Sequence, residues 1–198
     1  MRVTLLDYGA GNLHSLTKAL AAAGGDVRVD SEPARAIDTD VLVLPGVGAF
    51  APAAAHLAAA RATMRDAIAG GLPVIGVCLG MQLLFDRSEE GGGEGLGVIP
   101  GTVTRLAAPR VPQIGWNTID DARDLALARA GLRTAYYANG YACRPDDEGA
   151  VVAWSTHGDD RFPAMVRRGR AVGVQFHPEK SSAPGVRLLR ALLAECAA

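Results

Sequence analysis

Cys78 stands between two glycines in the run Gly76-Val77-Cys78-Leu79-Gly80, directly after the apolar stretch "LPVIGV". Residues without a Cβ permit a sharp strand-to-helix corner, and a side chain at its tip is lifted out at the carboxyl edge of a sheet. There, the free N–H groups and partial positive charge of a following helix favour thiolate over thiol. A thiol with a reference pKa near ~8.5 so placed becomes a nucleophile at neutral pH, fit to attack a carbonyl carbon. Taken alone, a free cysteine is more often a small buried hydrophobe, so catalysis requires a base and a group that orients the base.

Four histidines are available. His14 lies in a helical pattern and His56 interrupts "AAAHLAAAR", both positions of solvated or packed side chains; His157 sits in the polar segment "STHGDD". His177 differs, because it ends the apolar run "VGVQF" and is followed by Pro178 and Glu179. A carboxylate two residues away on a proline-held turn is placed to orient the imidazole. Cys78 and His177 are far apart in sequence, so only the fold can join them; strands of a parallel α/β sheet that end at one edge do this.

The elements that must position these groups alternate in kind. "RVTLLDY", "DVRVD", "DVLVLPG" and "LPVIGV" read as strands buried on both faces, separated by helical stretches: one from Leu13 to about Ala23, stopped by Gly24-Gly25, and another through roughly Pro52 to Gly70. That alternation predicts βαβ units around a parallel sheet. A helix carries Met81 to Phe85, and "RSEEGGGEGLGVIPG" breaks all periodicity and reads as a mobile surface loop. Then "TVTRL", "IGWNTI", "TAYYANGY", "AVVAWS" and "RAVGVQF" read as shorter strands, and Pro184 to Ala197 as a closing amphipathic helix. At 198 residues with 49% hydrophobic content, one domain over 1–198 is expected.

Composition narrows the function. Twenty basic against 21 acidic residues leave a formal net charge of −1, so no general field favours nucleic acid or an anionic membrane. The apolar start before Asp7 is too short for a signal peptide or a span, which points to a cytoplasmic protein. Cys78, Cys143 and Cys196 form an odd set without Cys-x-x-Cys spacing, so reduced thiols are expected, with neither disulfides nor a metal site. Gly9-Ala10-Gly11 follows a strand, but position 14 is histidine where a dinucleotide fingerprint needs glycine.

The G-x-C-x-G corner followed at long range by His-Pro-Glu closely resembles the class I (triad) glutamine amidotransferases. Within that class, "DYGAGNLHS", "LPGVGAF", "GVCLGMQLLF", "GLGVIPG", "IGWN" and "VGVQFHPEKS" resemble, in order, the motifs of the glutaminase subunits of imidazole glycerol phosphate synthases, and the resemblance spans Asp7 to Ser182. It implies a flavodoxin-like α/β fold, a central mostly parallel sheet flanked by helices with a smaller antiparallel extension, and no cofactor. It implies that Cys78 forms a γ-glutamyl thioester with L-glutamine, His177 acts as acid and base, and Glu179 holds its tautomer. By the same likeness, the N–H groups of Val47 and Leu79 form the oxyanion hole. Gly46, Gly48, Gln82 and the segment Asn139, Gly140, Tyr141 shape the glutamine site, the last three mainly through backbone.

The chain leaves no room after Ser182 for a domain that consumes ammonia, so a partner is expected. The resemblance implies a (β/α)8-barrel cyclase subunit, met by Asn12, Trp116, Tyr137 and Lys180. Two positions depart from the family: Gln113 in "VPQIGWN" and Asn139 in "YANGY" replace histidines, with altered tuning of interface or substrate loop expected and glutaminase chemistry retained. Two other readings remain. One is the subunit of an anthranilate or aminodeoxychorismate synthase, against which "DYGAGNL" and "PGVG" speak; the other is a non-catalytic scaffold, against which an intact triad speaks.

Overall fold

The computed structural model describes residues 1–9 and 13–197. The chain runs β1 (Arg2–Leu6), α1 (His14–Ala22), β2 (Asp26–Asp30), α2 (Pro33–Ala36), β3 (Val41–Leu44), α3 (Phe50–Leu57), α4 (Arg61–Ala69), β4 (Val74–Val77), α5 (Leu79–Gln82) and β5 (Arg87–Ser88). It continues through β6 (Gly101–Arg105), β7 (Gln113–Thr118), α6 (Leu125–Ala130), β8 (Thr134–Asn139), β9 (Tyr141–Pro145), β10 (Val151–His157), β11 (Asp160–Arg168), β12 (Ala171–Val174) and α7 (Ser182–Cys196).

Seven strands form the main sheet in the order β10-β11-β12-β4-β3-β1-β2; β12 through β2 are mutually parallel, and β10 and β11 extend the sheet antiparallel. A three-stranded sheet β5-β6-β9 and a hairpin β7-β8 stand beside it. The parallel strands are aliphatic because both faces are covered. Val41, Val43, Ile75 and Val77 pack with α1, α6 and α7 on one face; Leu42, Leu44 and Val74 pack with Phe50, Leu57, Met64 and Ile68 on the other. β2 is the exception: it is the sheet's edge, and Val29 is half exposed. Among the described residues no helix is long and apolar enough to cross a membrane.

Three expectations about local structure change. The single helix through Pro52 to Gly70 is two, α3 and α4, broken at Ala58–Ala60 without any glycine or proline; tertiary packing of Leu57 and Met64 into one cluster overrides alanine's propensity. The glycine-rich segment after Phe85 is tied down, with Leu96 and Ile99 buried and Leu96, Val98 and Ile99 N–H groups donating to the carbonyls of Leu83 and Leu84. Gly95 presses so close to Phe85 that a Cβ there would lie 2.1 Å from its carbonyl oxygen. The helix after Cys78 is a single turn, because the chain must leave it at once to reach β5.

Candidate active site

β4 delivers Cys78 and β12 delivers His177 at the same carboxyl edge, since the two strands are parallel neighbours with Val77 opposite Val174. Cys78 adopts φ 48° and ψ −104°, an uncommon conformation for a residue with a side chain and one that costs roughly 1–3 kcal/mol. The flanking glycines make it attainable by close approach. A Cβ on Gly76 would lie 2.5 Å from the Gly80 carbonyl oxygen, and one on Gly80 would lie 2.0 Å from that of Leu44. The Cys78 N–H is anchored to the Val174 carbonyl at 2.7 Å, which fixes the corner to the strand that carries the histidine.

His177 is held as firmly. Its N–H donates to the Tyr136 carbonyl at 2.8 Å, while its own carbonyl accepts from Ser181 Oγ at 2.7 Å, and Ser181 Oγ accepts in turn from the Tyr136 N–H at 3.0 Å. Its Nδ1 meets Glu179 Oε1 at 2.8 Å, leaving Nε2 for the hydrogen bond with Cys78. A Cβ added at Gly46 would lie 2.9 Å from Cys78 Cβ and 3.0 Å from His177 Cε1, so thiol, imidazole and loop converge on one point. Cys78 is 6% exposed and His177 3%. Burial pulls the imidazole down; hydrogen bonds and charge from Cys78 and Glu179 more than reverse this, raising it from 6.5 to about 10.

These groups open on a cavity of about 300 Å3 lined by Gly46, Val47, Gly48, Leu79, Gln82 and Tyr141, along with Ala138, Asn139, Gly140 and Lys180. Gly48 has φ +109°, a conformation that favours glycine, and the buried Tyr8 hydroxyl donates to the Pro45 carbonyl at the base of that loop. The structure thus gathers every expected substrate-loop residue around Cys78. Two side chains that sequence reasoning passed over belong here as well. Glu90, from the glycine-rich segment, lines the cavity and accepts from the Phe50 N–H at 3.0 Å; Gln175, fully buried, donates to Cys78 Sγ at 3.4 Å. A glutamine in the aliphatic run "VGVQF" was the available signal for the latter.

Two other histidines pair elsewhere: His56 Nε2 with the Ser31 carbonyl and His157 Nε2 with that of Arg110. The expected partner-facing residues fall into three groups. Trp116 is 56% exposed and packs edge-on against Tyr136, whose ring lies 5.7 Å from Lys180 Nζ. Tyr137, expected to face a partner, is instead fully buried, its hydroxyl hydrogen-bonded to Ser155, so its side chain is not on the surface. Side chains alternate along β8, and the strand turns Tyr136 outward. Asn12 lies outside the described residues. The two replaced positions, Gln113 and Asn139, are opposite each other across β7-β8; both are buried, and Gln113 Oε1 and Asn139 Oδ1 have no hydrogen-bond partner among the described residues, while Asn139 Nδ2 donates to the Tyr141 carbonyl.

A family model described as glutamine amidotransferase class-I matches residues 4–196. The chain belongs to the class I glutamine amidotransferases. Among similar members of this family are two proteins named imidazole glycerol phosphate synthase subunit HisH. That of Nocardia farcinica is 46% identical, with 95% of each chain covered; that of Halobacterium salinarum is 42% identical over 98% of this chain and 94% of the other. A solved glutamine amidotransferase superposes with a TM-score of 0.76 at 22% identity over 99% of both chains, which shows the shared fold.

Proposed function

We propose that this amidotransferase is the glutaminase subunit of an imidazole glycerol phosphate synthase: it hydrolyses L-glutamine to glutamate and ammonia and passes the ammonia to a separate (β/α)8-barrel cyclase subunit. That partner makes imidazole glycerol phosphate and aminoimidazole carboxamide ribotide in histidine biosynthesis. The observation that carries the chemistry is the His177 imidazole, hydrogen-bonded to Glu179 on one side and Cys78 on the other, at the wall of a cavity with room for an amino acid. The likeness to the HisH subunits over nearly the whole chain supports the acceptor reaction and the partner. The three free thiols support a cytoplasmic setting, where thiols stay reduced.

In this reading Cys78 Sγ attacks the side-chain carbonyl carbon of glutamine, and the carbonyl electrons move to oxygen, which the N–H groups of Leu79 and Val47 receive. Each such donor contributes about 3 kcal/mol to the transition state. His177 Nε2–H protonates the amide nitrogen, the C–N bond breaks, and ammonia leaves a γ-glutamyl thioester. The imidazole, now neutral, takes a proton from water whose oxygen attacks the thioester carbon; the C–S bond breaks and thiolate returns as glutamate departs. Glu179 holds the tautomer and stabilises the imidazolium. Glu90 and Lys180 give the cavity one charge of each sign, which suits a zwitterionic amino acid. The exposed Trp116, with Tyr136 and Lys180, supports docking of the partner beside this opening.

The test is ammonia release by wild type and Cys78→Ala, each alone and with the barrel subunit and its nucleotide ligand. Little activity alone, marked stimulation together and none for Cys78→Ala are expected. Equal wild-type rates with and without the partner overturn the coupling, and activity in Cys78→Ala overturns the chemistry.

A further inference from the structure

β12 enters the site as four buried residues, and the next one, Gln175, is a primary amide with no access to solvent. Burying an amide costs free energy unless its polar ends are partnered, and both ends of this one are. Gln175 Oε1 accepts from Gln82 Nε2 at 3.3 Å, and Gln175 Nε2 donates to Cys78 Sγ at 3.4 Å. Gln82 Nε2 also donates to the Tyr141 carbonyl at 3.3 Å. That carbonyl sets the polarity of the whole chain, because a backbone oxygen only accepts. Gln82 must turn its NH2 inward, Gln175 must answer with its oxygen, and the Gln175 NH2 is left for the sulfur. A thiolate accepts that hydrogen bond far better than a thiol does.

We infer that Gln175 is a positioning residue for the nucleophile: its amide donates to Cys78 Sγ and holds it as a thiolate, with the donor end enforced by Gln82 and the Tyr141 carbonyl. The inference rests on reading Cys78 as the nucleophile. α5 is a single turn, so the helix dipole expected to favour the thiolate is small, and the Gln175 amide is a donor that meets the sulfur directly. The ionisable groups around the sulfur are His177 with Glu179 behind it, Tyr8 after β1, Cys143 on β9, and Glu90 and Lys180 at the cavity. Tyr8 is committed to Pro45, and His177 hands its proton to the leaving ammonia. Gln175 cannot ionise, so it is the donor that persists through the cycle.

The experiment compares wild type, Gln175→Met and Gln175→Glu, as full chains, by the pH dependence of iodoacetamide alkylation read on the Cys78 peptide by mass spectrometry. It also compares kcat and KM for glutamine in the complex with the cyclase subunit. Loss of a hydrogen bond to a charged group moves the Gln175→Met alkylation midpoint up by roughly 1–2 pH units. Its kcat falls by about 10-fold or more while KM stays within about 3-fold, because fewer molecules carry the ionised nucleophile at the assay pH while the glutamine contacts are kept. Gln175→Glu keeps the acceptor for Gln82 but turns oxygen toward the sulfur, and moves the midpoint further. A lowered melting temperature with an unmoved midpoint overturns the inference. Should both variants fail to fold, Gln82→Leu frees the Gln175 amide to turn and must also raise the midpoint; no rise there overturns it. A moved midpoint in a protein that hydrolyses no glutamine sinks the proposed function and leaves the relay standing, whereas hydrolysis with an unmoved midpoint does the reverse.

Discussion

Cys78 and Cys143 are both buried thiols, each in a different one of the two hydrophobic clusters, and their surroundings have little else in common. Cys143 sits in the middle of β9, opposite Val103 on β6 and without any solvent access, and burial pushes its thiol well above the ordinary value. Cys78 is almost as enclosed, but it occupies a strained corner with an imidazole on one side and an amide donor on the other. In the proposed chemistry, burial is therefore not what separates the nucleophilic cysteine from the structural one. Backbone geometry that aims the sulfur at a cavity, and donors that meet it there, make the difference.

The contrast is sharpest in deletion. In the complex with the cyclase subunit, Cys78→Ala loses all measurable ammonia release, whereas Cys143→Ala keeps it within about 2-fold and loses about 1–2 kcal/mol of stability to the cavity left behind. Comparable loss of activity in Cys143→Ala would break the comparison. Next in size is Glu179→Gln, which leaves imidazole and thiol in place but favours the wrong tautomer; kcat falls roughly 10²–10⁴-fold in the same assay. A rate near wild type would mean that the carboxylate merely packs.

Gly80→Ala tests the corner itself. Its Cβ would meet the Leu44 carbonyl oxygen at 2.0 Å, so the variant loses about 1–3 kcal/mol in a denaturant titration and alkylates more slowly at Cys78, while Cys143 stays unmodified in both folded proteins. The last effect is a slope. His177 is raised from 6.5 to about 10, so between those values the native state holds a proton that the unfolded chain does not. This contribution is complete below about pH 6.5 and is lost as pH rises through 10. Glu179→Gln removes one of the interactions that raise the imidazole, so its stability declines over a lower pH interval in denaturant titrations from pH 6 to 10. Parallel curves for the two proteins would remove the carboxylate from the explanation.

Much of the site was legible because its chemistry is written in short local patterns. The glycines around Cys78 mark a corner on their own, and "HPE" after an apolar strand marks an imidazole with its carboxylate. The parallel sheet was legible from alternating aliphatic runs and alanine-rich helices. The reading went astray where local pattern and tertiary packing disagree. "AHLAAAR" carries no breaker, yet the chain bends between α3 and α4 to bury Leu57 and Met64 together. "EEGGGEG" looks mobile, yet Glu90 reaches back to the Phe50 N–H and the cavity. For Tyr136-Tyr137, both tyrosines suit an interface equally, and only register on β8 decides which one faces out.

The amino-acid sequence by itself determined that a thiol, an imidazole and a carboxylate would sit at strand ends, since strand periodicity and glycine-permitted corners are set by neighbouring residues. Only the tertiary structure decided which amide faces the sulfur, which tyrosine faces solvent and which loop carboxylate enters the cavity. Those outcomes depend on register between strands distant in the chain, where a shift of one residue exchanges one face of a strand for the other.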